Sequence, residues 1–174
     1  MTIGLFIGRF QPFHNGHLAV IKKILEKHDS VIIVIGSSQE HDTAVNPFSA
    51  EERRKMIELA LTVECIENYQ IVDVPDINDN ARWVGYVSDK IIASSDDLES
   101  SNPFDIVYCG AELTRDLFEK EDYKVEWIDE RIGGISASEI RLRISKDMDW
   151  EEMVPKKIVE YIKDIKGVER VKSL

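Results

Sequence analysis

Two histidines three residues apart, His14 and His17, stand with Gly16 where a strand pattern gives way to a helix pattern. The segment reads Gly8-Arg-Phe-Gln-Pro-Phe-His-Asn-Gly-His17. Imidazole N–H groups can donate hydrogen bonds to phosphoryl oxygens whose charge grows during group transfer. A helix start adds unpaired backbone N–H groups and the positive end of the helix dipole, which together attract phosphate. Gly16 lets a ligand come close to the backbone, and Arg9 brings a fixed positive charge to the end of the preceding strand. By spacing alone, three readings stay open: phosphate chemistry, a plain helix cap and a zinc site. The zinc reading lacks a suitable third ligand, because Cys65 and Cys109 are isolated while His28 and His41 lie in polar stretches. The metalloprotease spacing, the Walker loop and the dinucleotide glycine pattern do not match.

A second group of polar residues opens a later helix, Ser136-Ala-Ser138-Glu-Ile-Arg141. Ser136 and Glu139 have the spacing of a capping box, which accounts for those two residues without any ligand. It does not account for Ser138 and Arg141, three apart on one face beside another set of free N–H groups. Hydroxyl, guanidinium fork and helix start form a second phosphate clamp. Two such helix starts in one chain point to a single polyphosphate held between them.

The elements that must position these groups alternate along the chain. Ile3–Ile7 and Val31–Ile35 are continuous apolar runs of the kind buried on both faces of a parallel sheet. Further strands are expected at Tyr69–Val74, Phe104–Cys109 and Val125–Ile128. Helical patterns lie between them: Leu18–Leu25, the helix capped by Ser49 and Glu52, Asp79–Ala93, and a short one through Leu113–Phe118. Two more close the chain, from about Ser136 to Ser145 and from Trp150 to Ile165, and Ser94–Pro103 reads as a polar loop. The expected fold is α/β: a doubly wound, Rossmann-like, open parallel sheet of five strands with helices on both faces. One domain is expected over residues 1–174, its last helices (about 136–174) packing on the core. Ligands in such sheets sit beyond the carboxyl ends of the strands where the strand order reverses. The first and fourth strands, ending at Gly8 and Cys109, are therefore expected to be neighbours.

Composition narrows the classes. The chain has 174 residues, 43% of them hydrophobic, and no apolar run reaches the length of a membrane span. Two distant cysteines make no disulfide framework, and with no signal-peptide pattern a cytoplasmic location is the default. The formal net charge is −11, from 22 Lys and Arg against 33 Asp and Glu, with no basic stripe. That balance argues against nucleic-acid binding. An acidic chain that binds polyphosphate must gather its cations locally, as Arg9, His14 and His17 do, and a divalent cation arriving with the ligand would help.

At these residues the chain resembles the nucleotidyltransferase superfamily marked by a His-x-Gly-His turn and a later Ile-Ser-x-[Ser/Thr]-x-x-Arg helix start. Within it, the chain is most similar to archaeal nicotinamide mononucleotide (NMN) adenylyltransferases. The likeness extends to Asn46-Pro-Phe-Ser-Ala-Glu-Glu-Arg53, Asp76-Ile-Asn-Asp-Asn-Ala-Arg-Trp83, Phe104–Gly110 and Gly167-Val-Glu-Arg170. It implies transfer of AMP from ATP to NMN by direct in-line displacement, giving NAD and pyrophosphate, with Mg²⁺ accompanying ATP and no covalent enzyme intermediate. By the same resemblance His14, His17, Arg9 and Arg141 form the catalytic set. Gly8, Phe10, Gly16, Ser136 and Ser138 border the ATP phosphates, and no metal ligand is assigned. Asn80 and Trp83 hold the nicotinamide end, although Trp83, Val87 and Ile91 also form a helical stripe that reads equally as core. The partners implied are the two small substrates and further copies of the chain, hexamers being common in the family. An adenylyltransferase for FMN or phosphopantetheine and a nucleotide sensor without turnover are the alternatives. The chain departs from the family pattern at Ala137-Ser138, where Gly-Thr is common, and at Ala111-Glu112, where Asn-Pro is usual. It also departs at Val45, where some relatives carry an arginine, and in a longer polar loop over 94–102.

Overall fold

The computed structural model describes residues 1–95, 103–128 and 134–174. Five strands, β1 (Ile3–Gly8), β2 (Ser30–Ile35), β3 (Tyr69–Asp73), β4 (Ile106–Cys109) and β5 (Val125–Trp127), make one sheet in the order β3-β2-β1-β4-β5. Every pairing is parallel. The helices are α1 (Asn15–Leu25), α2 (Ala50–Val63), α3 (Asn80–Ala93), α4 (Glu112–Lys120), α5 (Ala137–Ser145), α6 (Lys156–Asp164) and α7 (Gly167–Ser173). This is the expected α/β, Rossmann-like class. The strand order reverses between β1 and β4, which pair directly with Phe6 opposite Tyr108.

Backbone contacts divide the chain into two compact units, one formed by Met1–Gly8, Ile21–Ser38 and Asn68–Asp129, the other by Arg9–Val20, Gln39–Glu67 and Glu130–Leu174. The first unit contains the sheet. Alternate residues of a strand point to opposite faces, so Leu5 and Ile7 of β1 meet Val84, Val87 and Ile91 of α3 and Phe118 of α4 in one buried cluster. Gly4 faces the other way, under the carboxyl-terminal part of α1. A Cβ added there would stand 2.6 Å from Ile24 Cγ2, so only glycine lets α1 lie that close.

The second unit contains α2, α5, α6 and α7. The capping box of α2 is complete: Glu52 N–H donates to Ser49 Oγ at 3.2 Å, and Ser49 N–H donates to Glu52 Oε2 at 2.9 Å. The long closing helix expected from Trp150 to Ile165 is broken. A 3₁₀ turn, Glu151–Met153, leads to extended Val154, and α6 starts only after Pro155. Proline disfavours helical geometry in the residue before it and cannot donate an N–H to a continuing helix. Lys166, in the left-handed region at φ 56°, then turns the chain into α7. Gly167 brings α7 close to Phe48, since a Cβ there would lie 2.9 Å from Phe48 Cε1. Residues 96–102 of the expected polar loop lie outside the described residues.

Candidate active site

The nine residues from Arg9 to His17 connect the end of β1 to the first turn of α1. Phe10 takes a left-handed conformation at φ 54° and is 1% exposed. Such a conformation is costly for a bulky side chain and persists only where surrounding contacts hold it. Here Phe10 and Phe13 pack on the His17 ring, with centroids 4.9 Å and 5.4 Å away. The His14 carbonyl accepts the first helical bond, from Leu18 N–H at 3.2 Å, so His14 occupies the N-cap position and His17 the third helical position.

The two histidines cap this helix reciprocally. His17 N–H donates to His14 Nδ1 at 3.4 Å, and His14 N–H donates to His17 Nδ1 at 3.2 Å. The pattern is that of a capping box, built from two stacked imidazoles with centroids 3.6 Å apart. Because each Nδ1 accepts, the neutral ring in each case carries its proton on Nε2. The cap reading and the phosphate reading are therefore compatible in the same residues: Nδ1 serves the helix, and Nε2 is the nitrogen left carrying the proton. Burial lowers the His14 pKa from 6.5 to about 4. His17 lies well below the ordinary range, through burial first and repulsion from His14 second.

The unfolded chain, whose histidines titrate near 6.5, binds protons in a window where the folded chain does not. Folding stability carried by this pair is thus complete above pH 6.5 and is lost as pH falls toward 4. Thermal melts of the ligand-free protein between pH 7.5 and 5.5 check this. His14→Gln is expected to show a visibly shallower fall in Tm than the parent, and parallel curves would refute the cause.

Arg141, in the first turns of α5, reaches the same loop: its Nη1 donates to the Gln11 carbonyl at 2.7 Å and its Nη2 to Ser138 Oγ at 3.2 Å. Its Nε is buried with no hydrogen-bond partner. Burial, and then repulsion from Arg9, lowers its pKa. Two cations are thus held near one another, which an anion between them would relieve. Ser136 caps α5 by accepting from Glu139 N–H at 3.2 Å. The box expected there is only half formed, because the Glu139 carboxylate turns instead to Arg143 Nε at 2.7 Å. An arginine four residues on offers it a charged partner.

The second unit thus gathers Arg9, Phe10, His14, Gly16, His17, Ser136, Ser138 and Arg141. Gly8 ends β1 and accepts from Gly36 N–H at 2.9 Å. Asn80 and Trp83 belong to the first unit. Asn80 is exposed at the start of α3, which Asp79 caps through Ala81 N–H at 3.1 Å. Trp83 is half-buried and meets Phe118 in a T-shaped contact at 5.8 Å, packed against the core cluster, so the core reading of its stripe holds for part of the indole. Among the described residues no group of three or more His, Cys, Asp or Glu side chains could hold a metal ion. None of the described helices is long and apolar enough to cross a membrane.

Comparison with known proteins gives this geometry a family. A family model described as cytidylyltransferase-like matches residues 5–143. A Thermococcus sibiricus protein named nicotinamide-nucleotide adenylyltransferase is 46% identical over 174 residues, covering 98% of this chain and 88% of the relative. A Pyrococcus horikoshii protein of the same name is 42% identical, covering 100% and 89%. The chain belongs to the nicotinamide-nucleotide adenylyltransferase family. A solved Francisella tularensis structure, described as a bifunctional NMN adenylyltransferase/ADP ribose pyrophosphatase, shares the fold with a TM-score of 0.80 at 24% identity. It covers 99% of this chain, which spans 52% of that protein.

Three residues of this nicotinamide-nucleotide adenylyltransferase family member support the site without having been singled out by spacing. Arg53 is 0% exposed and donates to the carbonyls of Ser49 and Arg9 at 3.2 Å and 3.0 Å, holding the loop from beneath. Asn15 donates to the Glu152 carbonyl at 2.9 Å. Gln11 is 2% exposed and bonds Phe48 through its carboxamide. The available signal was Arg53, a charged residue on the apolar side of α2 four positions after the cap.

Proposed function

We propose that this chain joins AMP to nicotinamide mononucleotide. The 5′-phosphate oxygen of NMN attacks the α-phosphorus of MgATP, a new P–O bond forms in line with the one that breaks, and pyrophosphate leaves with the electron pair. The observation that carries the reading is the reciprocal histidine cap. It presents two Nε2–H donors on a fixed helix start, in the same loop that Arg141 and Arg9 make cationic. Donors aimed at developing phosphoryl charge stabilise the transition state without moving at the moment of reaction. In this reading His14 and His17 contact the triphosphate, with His17 nearest the reacting phosphorus. Arg141 and Ser138, at the helix capped by Ser136, hold the phosphates that depart, and Arg9, beside Gly8 and Phe10, binds phosphate at the end of β1. Gly16 leaves room for the phosphate at the backbone. Mg²⁺ would enter as part of the substrate with ATP and would supply neutralisation of the phosphate charge.

Asn80 and Trp83 take the nicotinamide end, stacking contributing on the order of 1–3 kcal/mol. Trp83→Ala is therefore expected to raise KM for NMN at least tenfold while changing KM for ATP less than threefold. Equal effects on both would return Trp83 to the core alone. The two units, both crossed by the matching family model, act as one nucleotidyltransferase domain in this reading. The protein works in the cytoplasm as a symmetric oligomer, which light scattering would test.

The direct test is pyrophosphate release from MgATP with NMN, nicotinate mononucleotide, FMN and 4′-phosphopantetheine in parallel. Release with NMN, and NAD as product, is the expected result. Release with FMN or phosphopantetheine alone would keep the phosphate site and overturn Asn80 and Trp83. Nucleotide binding without release in any arm would make the chain a sensor.

A further inference from the structure

Gln11 makes a fork with a single residue 37 positions away. Its Nε2 donates to the Phe48 carbonyl at 2.8 Å, and Phe48 N–H donates to its Oε1 at 2.9 Å. Only a carboxamide can donate and accept in this way, so the side chain is fixed at its tip as well as at its root. Its own main-chain carbonyl is the acceptor for Arg141 Nη1. Phe48 is braced in turn. Arg170 on α7 donates to the Pro47 carbonyl at 3.2 Å and to both carboxylate oxygens of Glu52 at 2.6 Å and 2.8 Å, with its guanidinium 6.0 Å from the Phe48 ring centre. A bidentate arginine pair is among the stiffer side-chain contacts available. At the far end of this series, Arg141 Nε is buried without a hydrogen-bond partner.

We propose that Gln11 is a positioning residue for Arg141, and that α7, through Arg170, braces the Phe48 backbone from which Gln11 takes its direction. One edge of the guanidinium is committed to the Gln11 carbonyl and Ser138. Two of its five N–H donors are thus spent on holding the guanidinium plane, and the other three are presented to phosphate in a fixed orientation rather than left to rotate. Preorganisation of this kind reduces the entropy lost when a phosphate binds. The proposal rests on the reading of Arg141 as a phosphate ligand, and it gives the carboxyl-terminal helix a part in nucleotide binding.

A double-mutant cycle read by calorimetric titration with inorganic pyrophosphate tests it. Gln11→Met keeps the length of the side chain and removes both hydrogen bonds. It is expected to weaken pyrophosphate binding about tenfold, as loss of one aimed charge-assisted bond would. The same change on an Arg141→Met background is expected to cost less than twofold. An equal loss on both backgrounds, or none on either, would overturn the proposal, because a general packing role does not depend on Arg141. Should Gln11→Met fail to fold, Arg170→Met is read in the same cycle, with about threefold expected on the parent background and no loss on Arg141→Met. Parent protein that binds pyrophosphate but releases none from MgATP and NMN would sink the proposed reaction, while the cycle would still decide the role of Gln11. Parent protein that does not bind pyrophosphate would overturn both.

Discussion

His17→Ala is expected to lower turnover by about 10²–10³, the usual loss when one preorganised transition-state donor is removed. The imidazole has two separable duties. Through Nδ1 it accepts from His14 N–H and completes the cap of α1, and loss of a cap costs about 1 kcal/mol of stability. Its second duty belongs to the proposed reaction, in which Nε2–H donates to the phosphate. His17→Gln separates the two, because glutamine at the third helical position can reach back to the N-cap N–H as in an ordinary capping box. It is expected to keep Tm closer to the parent than His17→Ala does, while turnover stays at least thirtyfold down. Steady-state rates and thermal melts on the three proteins distinguish the duties. A fall in rate below threefold for the alanine variant would remove His17 from the chemistry, and rates that track Tm would make the cap its only duty.

Arg141→Met is expected to lower kcat/KM for MgATP by about 10²–10³, since charge-assisted guanidinium–phosphate bonds are roughly twice as strong as neutral ones. Arg141→Lys is expected to recover less than a tenth of the loss. Lysine is a compact point charge. It can place one donor toward phosphate, but it cannot also hold the Gln11 carbonyl at 2.7 Å and Ser138 Oγ at 3.2 Å. Burial first, and repulsion from Arg9 second, lowers the Arg141 pKa, and the gathered positive charge adds a second signature. Salt should weaken pyrophosphate binding in the parent more steeply than in Arg141→Met. Full recovery by lysine would reduce the role to net charge and remove the case for aimed geometry.

Much of the local structure was legible because it depends on contacts within one or two turns of chain. The Ser49–Glu52 box formed as spaced, and Asp79 capped α3 within one residue of the expected start. The buried-type runs became β1 and β2, and their length and alternation with helices sufficed for a parallel sheet with β1 beside β4. The departures were also local in kind. Pro155 interrupts the closing helix, and Glu139 had two partners within reach, the cap behind it and Arg143 ahead, and took the charged one.

What the sequence determined by itself was the chemistry available: histidine spacing at a helix start, a serine and an arginine at another, and the α/β fold class. Tertiary structure alone decided how those groups are presented. Which imidazole nitrogen carries the proton follows from two backbone N–H groups that only the folded turn aims at Nδ1. Arg141 donates to a carbonyl 130 positions away, that of Gln11, whose side chain is in turn bonded to the Phe48 backbone. Trp83 packs in a T-shaped contact with Phe118, of a different helix. A side chain bonded to a distant main-chain group leaves no periodicity and no partner residue type to read, because every residue carries the same backbone.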